Sequence, residues 1–186
     1  MIPAVILAAG RSTRMGQPKA LLPINGHTFL ENILGAIAKT SIEDVFVVVG
    51  HHRKEIEERV KMPSVVFNKD YEQGMITSFQ AGIRALSWDV SAAFLFLVDH
   101  PLVDPKTLEA MIEQLAPNRI ILPTFEGRRG HPVLFSSEVL EEILVLPPSE
   151  GANIVVRKDP ARIVEVPVNT PGILVDIDTP EDLEKL

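Results

Sequence analysis

The chain has 186 residues, 25 of them acidic and 18 basic, for a formal charge of −7. Phosphate backbones are gripped by Lys and Arg displacing counterions, so this acidic balance argues against nucleic acid as a partner. Hydrophobic residues make up 46% and charged residues 23%, which excludes a disordered chain and supports a buried core, and the absence of cysteine excludes disulfides and thiolate chemistry.

The chain opens on Met1-Ile-Pro-Ala-Val-Ile-Leu-Ala-Ala-Gly10. This apolar run has no charged leader and is too short to cross a bilayer, so a cytoplasmic protein without a membrane partner is expected. Residues 3–9 are continuously apolar, as in a strand buried on both faces of a parallel sheet. Similar runs at 44–49, 64–67, 92–98, 119–122 and 162–168 read as further strands. Between them, helical spacing predicts helices over 29–39, 54–60, 75–86, 105–115, 137–144 and 152–159. The alternation predicts an α/β fold, a three-layer αβα sandwich around a mainly parallel, Rossmann-like sheet. Pro147-Pro148 and Asn169-Thr-Pro-Gly172 are turn signals too short for interdomain linkers, so residues 1–186 are expected to form a single domain. No heptad announces an oligomer.

Ligands of such sheets bind outside the carboxyl ends of the strands, which directs attention to residues 10–19. Gly10 and Gly16 let the backbone approach a ligand closely, and Arg11, Arg14 and Lys19 supply cations where no Asp or Glu occurs before Glu31. The spacing is neither that of a Walker A loop nor that of a G-x-G-x-x-G loop, so a different phosphate loop is implied.

Leu7-Ala-Ala-Gly-Arg-Ser-Thr-Arg-Met-Gly16, followed by Pro18-Lys19 and Leu21-Leu22-Pro23, resembles the L-A-A-G-x-S-x-R-M-G-x-x-K-x-L-L signature of nucleotidyltransferases. Within these it looks most like the MobA-like NTP transferases, in particular the molybdenum cofactor cytidylyltransferases. The resemblance implies a sheet of the nucleotide-diphospho-sugar transferase type and a nucleotide site formed by Leu7, Ala8, Ala9, Gly10, Arg11, Ser12, Arg14, Met15, Gly16 and Lys19. The backbone of Ala8, Ala9 and Gly10 is expected at the base, with Arg14 and Lys19 on the triphosphate. CTP is favoured over GTP because Ala9 stands where guanylyl relatives usually carry glycine.

Further along, Asn68 and Gly74-Met-Ile-Thr-Ser78-Phe-Gln-Ala-Gly82 resemble the family's N…G-M-x-x-S-x-x-x-G block, which adds Asn68, Gly74, Ser78 and Gly82 to the expected nucleotide contacts. Asp99 follows an apolar strand, and Asp99-His-Pro-Leu-Val103 resembles D-x-P-x-V, whose Asp binds Mg²⁺; His100 receives no role from the motif. Gly127-Arg-Arg-Gly-His-Pro-Val133 resembles G-x-x-G-H-P and makes Arg128, Arg129, Gly130 and His131 the expected acceptor contacts. Asp176-Ile-Asp-Thr-Pro-Glu-Asp-Leu183 resembles the family's D-I-D-T-P-E-D-L ending, read as a strand that turns both aspartates to one face. Pro180 reads as the first position of a helix capped by Asp178 or Thr179. The resemblance implies that Asp178, with Asp176 left open, completes the metal site with Asp99.

These parts together imply Mg²⁺-dependent transfer of CMP from CTP to a phosphorylated acceptor, molybdopterin foremost, with Arg14, Lys19 and Asp99 as catalytic residues. A guanylyltransferase, a transferase with another phosphorylated acceptor, or a non-catalytic protein delivering cofactor to a molybdenum hydroxylase are the alternatives.

Overall fold

The computed structural model describes residues 1–87 and 89–185. The first apolar run forms β1 (Ala4–Ala8), buried at every position. Asn25 and Gly26, both at positive φ, then join β2 (Pro23–Ile24) to β3 (His27–Thr28), the Asn-Gly turn that suits the twist of an antiparallel pair. Thr28 starts α1 (Phe29–Ile37) with a reciprocal capping box: its hydroxyl accepts from the Glu31 N–H at 3.2 Å, and the Glu31 carboxylate accepts from the Thr28 N–H at 2.7 Å. Next in the chain come β4 (Val45–Val49), α2 (Arg53–Arg59), β5 (Ser64–Phe67), α3 (Met75–Arg84), β6 (Ala92–Leu97) and α4 (Pro105–Ile112). The last helix of this series begins on Asp104, whose carboxylate accepts from the Lys106 N–H, with Pro105 at the position where its missing N–H costs nothing. The remaining elements are β7 (Ile120–Phe125), β8 (Arg128–Arg129), β9 (Val133–Ser136), α5 (Ser137–Leu144), α6 (Asn153–Lys158), β10 (Ile163–Pro167) and α7 (Pro180–Leu183).

The main sheet runs β10-β7-β9-β6-β1-β4-β5, with β8 paired to β7. Its strands are parallel except β8 and β9. Side chains alternate across each strand. Ile6, Val47 and Phe94 join Phe29, Leu30 and Leu108 on one face, whereas Val5, Val48 and Leu95 join Phe79, Val139 and Leu140 on the other. Both faces are therefore covered by helices, giving the αβα sandwich that continuous apolar strands demand. β1 has β4 on one side and β6 on the other, so the chain order reverses there and a crevice opens beyond the carboxyl ends of these strands.

The helices and the strands expected from the continuous apolar runs are present with bounds shifted by a few residues. Two differences concern the site. β9 is a strand that the apolar runs do not predict: Val133–Ser136 is short, runs directly into α5 and lies antiparallel between β6 and β7. Residues 175–178 carry no ladder and are not a strand; a single bond, Ile177 N–H to the Asp99 carbonyl at 2.9 Å, lays them beside the end of β6. Of the two expected caps for α7, Thr179 takes the position, and the Asp182 carboxylate folds back onto its N–H and hydroxyl. Among the described residues no helix is long and apolar enough to cross a membrane.

Candidate active site

The loop leaving β1 is wound about Ser12, which sits at positive φ (51°) and whose carbonyl accepts from the N–H groups of Met15 and Gly16 at 3.0 and 3.1 Å. The Ser12 hydroxyl accepts from the Lys19 N–H at 3.1 Å, and buried Met15 anchors the turn in the core. Ser12 and Met15 thus shape the loop, and the loop delivers Lys19 to the foot of a cleft of about 300 Å³.

At that foot the Lys19 ammonium donates to Asp99 Oδ2 at 3.0 Å and to Asp178 Oδ1, while Arg14 meets Asp178 Oδ2 at 2.6 Å. Burial opposes the charge on Lys19, but its bonds to Asp178 and Asp99 outweigh that cost and hold its pKa above the usual lysine range. The bond from Lys19, reinforced by Arg14, holds the Asp178 carboxyl below its usual range. Two cations and two carboxylates therefore meet from three distant segments, and each is placed by an element of the sheet or the segment laid against it.

Ala8, Ala9, Gly10, Arg11, His52, Tyr71, Met75 and Ser78 form the walls above. Gly50 permits this shape: a Cβ there would lie 2.5 Å from the Ala9 carbonyl oxygen and 2.8 Å from Tyr71 Cγ. Arg11 is ion-paired to Glu72 across the mouth, and a ring nitrogen of His52 stands 3.0 Å from the Arg11 carbonyl. Gly50, Tyr71, His52 and Met75 are not among the site residues that the motifs predict. Gly50 does close the apolar run of β4 as Gly10 closes that of β1, a signal that strand-end glycines flank the crevice.

Several expected nucleotide contacts lie outside the lining. Asn68 is buried, and its amide donates to Thr77 Oγ1 at 2.9 Å and Ser78 Oγ at 3.0 Å, fixing the first turn of α3. Only Ser78 of that set reaches the cleft. Gly74 starts α3 at φ 130°, and Gly16 turns the loop at φ 68°. Gly82 faces the sheet, where a Cβ would collide with Val5 and press on Val48.

The expected acceptor residues separate. Arg129 pairs with Glu165 of β10 at 2.7 Å, and Arg128 is exposed on β8. Gly130 packs on the Ile173 carbonyl, where a side chain would not fit. His131 donates its backbone N–H to that carbonyl at 2.9 Å, and its ring lies 4.6 Å from the His100 ring, beside Asp99. Burial pushes His131 down to about 4 and also lowers His100. Burial and the nearby Asp99 charge raise Asp176. Asp99 Oδ1, His100 Nδ1 and His131 Nδ1 are buried there without a hydrogen-bond partner.

This crevice, with its glycine loop, cations and paired carboxylates, is of the kind that handles phosphoanhydrides. Residues 4–163 match the MobA-like NTP transferase domain, and the chain belongs to that nucleotidyltransferase family. It is 32% identical over 185 residues to the molybdenum cofactor cytidylyltransferase of Escherichia coli K12, covering 97% of this chain and 93% of that one. It is 26% identical over 196 residues to the nicotine blue oxidoreductase of Paenarthrobacter nicotinovorans, covering 100% and 96%. A Mycobacterium tuberculosis protein solved in complex with manganese superposes with a TM-score of 0.80 at 26% identity, covering 99% of this chain and 96% of that one.

Proposed function

We propose that the protein transfers CMP from CTP to a phosphorylated acceptor, molybdopterin foremost, and releases pyrophosphate. The observation that carries this reading is the Lys19 ammonium shared by Asp99 and Asp178 beneath the loop of Ala8, Ala9 and Gly10. The similarity to the cytidylyltransferase, together with Ala9 in the wall, favours cytosine as the base.

In the proposed reaction an oxygen of the acceptor's phosphate forms a bond to the α-phosphorus. The bond from that phosphorus to the α,β-bridging oxygen breaks, and pyrophosphate leaves with the electron pair. The attacking oxygen is already anionic, so no Ser or His needs activation. Lys19 and Arg14 bind and orient the triphosphate and oppose the charge growing on the leaving group. Ser78 offers a hydroxyl to the base or sugar, and His131 with Gly130 borders the Asp99 end, where the acceptor would enter.

Asp99 and Asp178 would hold Mg²⁺. The fit rests on Asp99 Oδ1, a buried carboxylate oxygen without a partner, and the manganese complex of the mycobacterial protein supports a divalent ion. Such an ion, when bound, supplies further neutralisation of the phosphates.

The test is pyrophosphate release by purified protein with Mg²⁺, molybdopterin and each nucleoside triphosphate in turn. CTP is expected to give the fastest release. Release from GTP but not CTP would overturn the donor assignment, and release from none would overturn the transferase reading.

A further inference from the structure

Ser12 holds φ at 51°, a left-handed conformation that an L-residue with a Cβ adopts only at a cost. Turning the Arg11–Ser12 peptide plane over would remove that cost. Such a flip changes ψ of Arg11 and φ of Ser12 in opposite senses and would carry φ of Ser12 to about −130°, ordinary extended backbone. Only the atoms between the two Cα atoms turn. The bonds that the Ser12 carbonyl accepts from the Met15 and Gly16 N–H groups, and that its hydroxyl accepts from the Lys19 N–H, are therefore the same in both orientations and choose neither.

The Arg11 carbonyl does distinguish them, because Nε2 of His52 stands 3.0 Å from its oxygen. A carbonyl oxygen only accepts, so Nε2 must carry a hydrogen. The sheet sets this meeting: β1 and β4 are parallel neighbours, and the Ala9 carbonyl accepts from the His51 N–H at 3.2 Å, which brings the next residue to Arg11. Glu55, one turn along α2, stands 2.8 Å from Nδ1 and orients the ring, whose side chain is only 16% exposed. In a trans peptide the C=O and the N–H point opposite ways. With the Arg11 carbonyl on His52, the Ser12 N–H is turned away from that ring; after a flip the carbonyl oxygen would stand in its place. Ser12 and His52 both line the cleft. An N–H attracts a phosphate oxygen and a carbonyl repels it, so the two orientations differ in affinity for a triphosphate.

We propose that His52 is a positioning residue: through a hydrogen on Nε2 it holds the Arg11 carbonyl and keeps the Arg11–Ser12 peptide in the orientation that offers the Ser12 N–H to the triphosphate. The role rests on the reading of this cleft as a triphosphate site.

Two measurements test it. The first needs neither nucleotide nor variant for its outcome: long-range ¹H–¹⁵N correlation spectra of nucleotide-free protein labelled in histidine, with the His52 signals assigned by their loss in His52→Gln. Nε2 of His52 is expected to bear hydrogen. The second is calorimetric binding of CTP with Mg²⁺, followed by the kinetics of pyrophosphate release. His52→Phe keeps a planar ring without a donor and should weaken CTP binding about tenfold, the scale of one lost hydrogen bond, raising KM by a similar factor with less than about a threefold change in kcat. His52→Gln returns an amide N–H near the position of Nε2 and should restore affinity to within about threefold of the unaltered protein. A bare Nε2, a folded His52→Phe protein that binds CTP as tightly as its parent, or equal weakening in the Phe and Gln variants would overturn the proposal while the unaltered protein still bound CTP. Failure of the unaltered protein to bind any nucleoside triphosphate would overturn the triphosphate reading itself, and the role of His52 with it.

Discussion

Lys19 and Asp99 are 80 positions apart in the chain, yet the lysine ammonium donates to Asp99 Oδ2 at 3.0 Å and is shared with Asp178. The contact exists because β1 and β6 are neighbours, so the loop leaving β1 faces the segment leaving β6. Lys19→Gln keeps most of the length and removes the charge, leaving two carboxylates face to face. The expected loss in kcat for pyrophosphate release is about 10²- to 10³-fold, the scale for removing one preorganised charge from a transition state. An unchanged kcat would exclude Lys19 from the chemistry.

Arg11 lies on the loop leaving β1, but Glu72 holds its guanidinium across the mouth of the cleft. Glu72→Gln releases it for the triphosphate. Both side chains are exposed, so the gain is small: about two- to fivefold tighter CTP binding by calorimetry. Weaker binding would mean instead that the pair props the cleft open.

Gly82→Ala tests packing against binding. Its new methyl group would press on Val5 and Val48, at a cost of about 1–3 kcal/mol in urea unfolding. CTP affinity of the folded protein should be unchanged. Unchanged stability with weakened CTP binding would return Gly82 to the nucleotide site.

His131 sets a pH dependence. Its pKa is pushed down to about 4 by burial, whereas an unfolded histidine titrates near 6.5. Between these values the unfolded state binds more protons. The stability contributed by the neutral, buried ring is therefore full above pH 6.5 and is lost as pH falls toward 4, about 2 kcal/mol of it by pH 5. His131→Gln should remove this part of the pH dependence in urea unfolding of metal-free protein at pH 7 and pH 5. Equal losses in variant and parent would contradict the assignment.

Much of this is legible in the sequence, for reasons that differ by residue. β1, β4 and β6 are apolar at nearly every position because both faces are covered, and such runs stand out without any knowledge of their neighbours. β9 does not, since four residues running into a helix carry no distinct period and nothing local says that the strand is antiparallel. Asn68 and Gly82 sit in a motif beside Ser78, and a small or polar residue looks the same whether it touches a ligand or shapes the helix that does. Asn68 bonds Thr77 and Ser78, and Gly82 faces Val5. The meeting of His100 and Asp176 is hidden for another reason. It depends on one backbone bond that lays residues 175–178 along the end of β6, a contact with no signature in either segment.

Nucleotidyl transfer is tested most directly by following label from CTP carrying radioactive α-phosphorus, with purified protein, Mg²⁺ and molybdopterin. Label should enter a CMP–molybdopterin product, with one pyrophosphate released for each product formed, and both signals should be lost in Lys19→Gln. Label that stays in CTP or appears only in free CMP, with the acceptor unlabelled, would contradict CMP transfer.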